Sequence, residues 1–157
     1  MTITEFVEML MGLLGSLGFG LIFNIKGKKL LVVGFGGFLA WFFFVILKFL
    51  TPSESLRYFI VAVLASILAE IMARVMKTPT TTFHMGFLVP LIPGGSLYYT
   101  MAHIFEGDYV NFAERGLHTF SLAASLALGI VTITAATKII YRILAEIKSK
   151  RKEKQKL

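Results

Sequence analysis

The sequence of 157 residues contains no cysteine, one tryptophan, four prolines and fewer acidic than basic residues. Without cysteine, disulfides and thiolate metal sites are excluded. The sequence also lacks a nucleophile–base pair, a phosphate-binding loop and a carboxylate dyad, and its three histidines match no ligand spacing. We therefore expect no enzyme, no bound metal and no cofactor.

What the sequence does contain is apolar: 56% of its residues are hydrophobic, 15 are phenylalanine, and the mean hydropathy is +0.77. Five apolar runs of roughly 20 residues or more are each long enough to cross a hydrocarbon core of about 30 Å. Glu5 and Glu8 stand in the first run where a basic leader would belong, so we expect this run to be retained rather than cleaved. The sequence predicts an all-α polytopic membrane protein, a single integral membrane domain over residues 1–157, with spans at about 3–23, 30–50, 56–76, 83–105 and 116–141 and a basic tail at 142–157.

Basic residues indicate the orientation of these spans. Most of the sixteen lysines and arginines fall in the first loop, the third loop and the tail, whereas Glu54, Glu106, Asp108 and Glu114 fall on the alternate side. The positive-inside rule then predicts an external N-terminus and a cytoplasmic tail in the cell's inner (plasma) membrane. A polybasic segment beside a membrane favours contact with the anionic lipid of the bilayer, so we expect no nucleic-acid partner.

The fourth span is interrupted by the sequence Pro90-Leu91-Ile92-Pro93-Gly94-Gly95. Proline lacks the backbone N–H, and glycine readily leaves helical geometry, so we expect a broken helix at mid-depth. Such a break persists in hydrocarbon only where protein or a water-filled cavity satisfies the freed backbone groups, and transporters bind solutes in such cavities.

The break predicts a site with hydrogen-bond donors on one side and acceptors on the other. N–H groups of Gly94, Gly95 and Ser96 at the start of the second half-helix favour a carboxylate. Carbonyl groups from about Gly86 to Val89 suit an ammonium group, a proton carrier or water. The alternative is a proline kink fully packed by its neighbours. The candidate substrate-binding residues are Pro90, Pro93, Gly94, Gly95, Ser96, Tyr98 and Tyr99.

A second candidate site lies at the predicted cytoplasmic end of the third and fourth spans. Glu70 and Arg74 are four residues apart and share a helix face, so they form either a gate with a proton-responsive carboxylate or a structural ion pair. Thr81 or Thr82 is expected to cap the fourth span, and these threonines could also line a polar entrance.

Small residues in the first two spans, such as Gly12, Ser16 and Gly37, indicate close helix packing. The packing could be within the chain or at a subunit interface, which leaves a homo-oligomer open.

Four segments stand out together with Glu70 and Arg74: Pro79-Thr80-Thr81-Thr82-Phe83, the break, Leu97-Tyr98-Tyr99 and Gly107-Asp108-Tyr109. Together they resemble the threonine/serine exporter family. The chain is similar to its small five-span subunit, equivalent to the second membrane half of the fused exporters. It departs from many members at Gly86-Phe87, where they carry a further Pro-Gly.

The resemblance implies a larger five-span partner subunit. It also implies export of small amino acids such as threonine and serine, or of dicarboxylic acids in some paired members, driven by a proton gradient. A non-transporting assembly subunit is the alternative of a different class.

Overall fold

The computed structural model describes the backbone of residues 3–154 and the side chains as far as Lys148, so the end of the predicted tail, residues 155–157, lies outside the described residues. Throughout this range the chain is helical and contains no strand, as predicted. The elements are α1 (Ile3–Ile22), α2 (Lys28–Leu50), α3 (Glu54–Val75), α4 (Thr80–Leu88), a 3₁₀ turn (Val89–Leu91), α5 (Gly94–Phe105) and α6 (Tyr109–Lys154).

Four of these helices are long and apolar enough to cross a membrane: α1, α2, α3 and the segment Tyr109–Lys148 of α6. The chain is therefore an all-α polytopic membrane protein. The predicted fourth span consists of α4, the 3₁₀ turn and α5, and its crossing of the bilayer as one unit stays a prediction. The predicted fifth span and much of the basic tail form one continuous helix of 46 residues.

Contacts between helices fix their relative directions. α1 packs antiparallel on α2, and α4 packs against both α2 and α3. α6 runs parallel to α3, since Ser121 contacts Ser55 near the start of α3 and Tyr141 contacts Arg74 near its end. α5 packs mainly on the beginning of α6.

This arrangement gives the bundle two chemically different ends. The basic end holds the α1–α2 and α3–α4 loops with Lys26, Lys29 and Lys77. The acidic end holds the α2–α3 and α5–α6 loops with Glu54 and Asp108. The names basic end and acidic end are used below in this sense.

Glycines allow α1, α2 and α4 to approach closely. A Cβ atom at Gly36 would collide with the ring of Phe87, and one at Gly37 would collide with Ser16. Phe87 and Ser16 are fully buried at this contact. Elsewhere large apolar side chains are exposed along the helices, which suits a surface that faces lipid rather than water.

A glycine in a left-handed conformation and an aspartate cap fix the loop between α5 and α6. Gly107 adopts a φ of 75°, a left-handed conformation that ends α5. Asp108 then caps α6, because its carboxylate accepts hydrogen bonds from the backbone N–H (3.1 Å) and the side-chain amide (2.6 Å) of Asn111.

Candidate functional site

The helix break lies where the two prolines remove backbone donors. α4 ends at Leu88, the 3₁₀ turn follows, and Ile92 is extended (φ −61°, ψ 125°) before Pro93 leads into α5. Two short hydrogen bonds hold the connection: Ile92 N–H donates to the Val89 carbonyl (3.1 Å), and Gly94 N–H donates to the Ile92 carbonyl (2.7 Å). The Val89 carbonyl and the Gly94 N–H, both predicted to contact a ligand, are therefore already engaged in hydrogen bonds within the chain.

The carbonyl of Gly86 loses its helical partner because residue 90, whose N–H would serve it, is a proline. The hydroxyl of Ser16 on α1 donates to this carbonyl at 2.7 Å, and Ser16 is fully buried. A side chain 70 positions away thus replaces the missing backbone donor. The sequence around Ser16 indicates only close helix packing, and nothing local in the sequence identifies its acceptor.

The start of α5 presents donors to open space. Pro93 precedes the helix and gives no side-chain cap, and Leu97 N–H closes the first turn on the Pro93 carbonyl at 3.0 Å. The N–H groups of Gly95 and Ser96 belong to this first turn, whose donors a helix leaves without intrahelical partners. Gly94 and Gly95 are exposed, and a Cβ atom at either would meet nothing within 4 Å.

A cluster of three hydroxyls joins α5 to α6. Ser96 Oγ lies 2.7 Å from Thr119 Oγ1, which lies 3.0 Å from Thr100 Oγ1. Thr100 donates to the Ser96 carbonyl and Thr119 to the Arg115 carbonyl, both at 2.8 Å. The remaining proton, that of Ser96, is then directed at Thr119, so the Ser96 hydroxyl can accept from a ligand more readily than it can donate. Thr100 and Thr119 were not singled out in the sequence.

The two tyrosines predicted for the site lie on the other side of α5. Tyr98 and Tyr99 are 69% and 57% exposed, and their rings meet edge to face with centroids 5.5 Å apart. They share the exposed surface of α5 with its open first turn, whereas Ser96 contacts α6.

The break extends along the bundle rather than lying at a single level. Pro90 borders the same groove as Gly12, which is in the middle of α1. Ser96, however, lies against Thr119, just before the residue that contacts Ser55 at the start of α3. The extended segment therefore carries the chain toward the acidic end, so that the N–H donors at the start of α5 lie nearer that end than Pro90 does.

The predicted inner pair is formed. Arg74 Nη2 lies 3.1 Å from Glu70 Oε2, and the guanidinium carbon of Arg74 lies 4.2 Å from the ring centroid of Tyr141. The side chain of Glu70 is only 16% exposed, against 47% for Arg74. Both residues line a cavity of about 730 Å³ at the basic end, between α3, the start of α4 and α6.

Thr81 and Thr82 line a second cavity at the basic end, of about 550 Å³, together with Lys26 and Lys29. The expectation that either threonine caps the fourth span is wrong. The helix begins earlier, at Thr80, with Pro79 at its N-cap, and Thr82 N–H donates to the Pro79 carbonyl at 3.1 Å. Because Pro79 occupies the N-cap, neither threonine hydroxyl acts as a cap, and both residues line the cavity.

The predicted residues therefore form two groups: Glu70, Arg74, Thr81 and Thr82 at the basic end, and the break with the start of α5 nearer the acidic end. Among residues 3–154, no group of three or more metal-binding side chains is close enough to hold an ion. His118 instead contacts Glu54 (3.2 Å), and His84 has a buried Nε2 with no partner in the described structure.

Comparison with known families gives one clear match. The sequence model of the family described as "Threonine/Serine exporter, ThrE" matches residues 8–136, which is most of the chain. No curated protein matches the chain significantly. No solved structure does so either.

Proposed function

Since this chain belongs to the threonine/serine exporter family, we propose that it is a subunit of a secondary transporter that exports small amino acids such as threonine and serine. It works with a larger five-span partner subunit and uses a proton gradient. The observation that carries the proposal is the broken helix, whose second half begins with first-turn N–H groups at the exposed Gly95 and the half-buried Ser96.

These donors suit the carboxylate that every amino acid carries. Aligned N–H groups at a helix start bind anions because they add hydrogen bonds to the positive end of the helix dipole. Gly94 and Gly95 leave the approach open, since no other atom lies where their side chains would be. The exposed tyrosines, Tyr98 and Tyr99, would border a bound solute with their hydroxyls.

The basic end supplies the cytoplasmic entrance in this proposal, with the N-terminus outside and the tail inside. Thr81 and Thr82 line its polar cavity, while Glu70 and Arg74 form the gate. Glu70 is the proton-coupling group: it is mostly shielded from solvent, pairs with Arg74 and borders a cavity large enough for water. Arg74, clamped between Glu70 and Tyr141, opposes opening until the carboxylate is protonated.

Export of dicarboxylic acids is the second candidate. It is favoured by Lys26 and Lys29 in the cavity with Thr81 and Thr82, because two cations there would attract a second carboxylate. A non-transporting assembly subunit is the third, and a homo-oligomer is compatible with each of them. Only flux distinguishes these functions.

The test is efflux from vesicles that contain this chain alone, the five-span partner alone, or both, loaded with threonine, serine or a dicarboxylic acid. In the pair, replacing Pro93 and Gly94 by alanine should abolish most efflux, since alanine restores the missing N–H and favours helix over glycine by about 1 kcal/mol. The open space at Gly94 predicts that the protein still folds.

Gly95→Ala is the matched control. It adds the same methyl group to an equally open position but retains both prolines and the break. Efflux should fall far less than in the double variant. Full efflux from the stably expressed double variant would show that the break is only a kink, and equal efflux from the partner alone would identify this chain as an assembly subunit.

Glu70→Gln tests the coupling role separately. The variant should reach the membrane in normal amounts yet lose the pH dependence of efflux. Arg74→Gln is the comparison, because removing either member of a purely structural ion pair should lower the amount of folded protein to a similar extent. Equal loss of folded protein in both variants, with an unchanged pH profile, would contradict the proposal.

A further inference from the structure

A groove of about 400 Å³ runs along α1 from the acidic end past the helix break. It begins at Thr4, passes Glu8 and Met11, is bordered by Trp41, Val89 and Pro90, and continues along α1 as far as Phe19. The residues that line the groove are mainly apolar, and Glu8 is the ionisable residue among those described. The groove therefore connects a carboxylate to the break by way of one face of a single helix.

Glu8 is an exposed carboxylate on a helix of membrane-spanning length. It is the sixth residue of α1, about 8 Å from the start of the helix at a rise of about 1.5 Å per residue. A charge within a membrane span is unfavourable by at least a few kcal/mol unless it is paired or faces an aqueous cavity. Glu5, one turn earlier, meets this requirement within the chain, since it is buried and lies 3.6 Å from Lys48. No basic side chain lines the described part of the Glu8 groove.

The rest of the groove also attracts cations. Trp41, whose ring presents the most favourable aromatic face for a cation, borders it near Pro90. Val89 and Pro90 follow the C-terminal end of α4, which carries the negative end of a helix dipole. A carboxylate, an indole ring and a helix C-terminus all favour positive charge.

Two of the four backbone carbonyls expected to hold an ammonium group are, in contrast, already engaged. The Gly86 carbonyl accepts from Ser16, and the Val89 carbonyl accepts from Ile92 N–H. A zwitterion that leaves the break along this groove would find a stronger acceptor for its ammonium group in a carboxylate than in these carbonyls. Glu8 lies one turn of α1 from Gly12, which is next to Pro90, and so is the nearest carboxylate along this groove.

We propose that Glu8 binds the ammonium group of the exported amino acid, and that this groove is the branch of the pathway leading from the break to the acidic end. This inference rests on the proposed function and adds to it a requirement for a positively charged group on the substrate. The Glu8 carboxylate is the charged partner in this groove, and the Trp41 ring borders the groove near Gly12.

The test uses serine and its two fragments, ethanolamine, which retains the ammonium group, and 3-hydroxypropanoate, which retains the carboxylate. Because the chain has no cysteine, Met11→Cys places a unique thiol in the groove, where residue 11 is 59% exposed. The rate of maleimide labelling is measured in vesicles containing the full chain, with and without the five-span partner, at increasing concentrations of each compound.

Serine and ethanolamine should slow labelling, whereas 3-hydroxypropanoate should have little effect in the groove. Glu8→Gln should raise the half-protecting concentration of serine and ethanolamine by about tenfold, which corresponds to about 1.4 kcal/mol. Glu8→Asp should retain much of the protection. Glu5→Gln is the charge control: it removes one negative charge in the adjacent turn, on the face toward Lys48, and should leave protection unchanged.

Each contrary result has a distinct meaning. If serine protects equally in wild type and Glu8→Gln, Glu8 only faces the lipid headgroups, and the inference is wrong while the exporter proposal stands. The inference also fails if serine is exported but neither serine nor ethanolamine protects residue 11. If serine neither protects nor is exported, the proposed function fails together with it.

Discussion

Ser16→Ala should destabilise the protein because it removes the donor that replaces the N–H missing at Pro90. The hydroxyl and its acceptor are buried, and their distance is 2.7 Å. An unsatisfied buried acceptor costs about 1–3 kcal/mol, while interhelical hydrogen bonds measured in membranes average about 0.6 and reach about 1.7 kcal/mol. We therefore expect the free energy of unfolding to fall by about 1–2 kcal/mol.

A double variant tests the role of Ser16 more sharply. In a Pro90→Ala background the backbone N–H of residue 90 returns and can serve the Gly86 carbonyl, as in an uninterrupted helix. Ser16→Ala should then cost close to zero. The two substitutions should be coupled by about 1–2 kcal/mol, although they lie far apart in the sequence.

Unfolding in mixed detergent and SDS micelles provides the measurement. Fluorescence of Trp41, the single tryptophan, reports the separation of α1 from α2 because its ring lies against Gly12. Ser66→Ala is the matched control: Ser66 is equally buried, but its hydroxyl has no hydrogen-bond partner in the described structure. Its removal should be neutral or slightly stabilising. Equal costs for the two serine variants, or an unchanged cost of Ser16→Ala in the Pro90→Ala background, would refute the reasoning.

Three further predictions concern packing, pH and topology. Gly36→Ala should lower stability by about 1–3 kcal/mol through overpacking against the buried ring of Phe87, whereas Gly15→Ala, with nothing within 4 Å, should be neutral or mildly stabilising in thermal unfolding. The side chain and the backbone N–H of Asn111 donate hydrogen bonds to Asp108 and hold the pKa of its carboxyl below the ordinary 3.8. The cap therefore stabilises α6 above that pH and is lost as the pH falls through the lowered pKa, so amide exchange in the first turn of α6 should accelerate there. The exchange should not accelerate in an Asp108→Asn variant, whose cap does not titrate. Reporter fusions should indicate cytoplasm after Lys29 and the outside after Asp108; the opposite result would overturn the orientation.

The helices were predictable because the signals that specify them are local. Apolar runs of spanning length identified α1, α2 and α3, and the two prolines identified the interruption before α5. The pair Glu70 and Arg74 was also predictable, since residues four apart on a helix are neighbours. Whether that pair is a gate or only structural was left open by the sequence, and its contact with Tyr141 on α6 depends on tertiary packing.

The interhelical part of the site could not be predicted from the sequence. Ser16 reads as one small residue among glycines until its acceptor on α4 is known. Thr119 reads as an ordinary threonine of the last span, although it holds Ser96 and thereby fixes the level of α5. The start of α4 was missed for a different reason: three threonines matched a capping signal, and the preceding Pro79 occupied the N-cap instead.

The asymmetry of the break bears on which solute the pathway suits. The Gly86 and Val89 carbonyls are already engaged by Ser16 and Ile92, while the first-turn N–H groups of Gly95 and Ser96 lack intrahelical partners, so the break by itself favours anions. A dicarboxylic acid would be attracted at the basic end but repelled by Glu8 in the groove toward the acidic end. A zwitterion presents a carboxylate to the donors and an ammonium group to Glu8, and so it meets a favourable partner at each step. On this argument, removing the charge of Glu8 should shift the preference of the transporter away from amino acids and toward dicarboxylic acids.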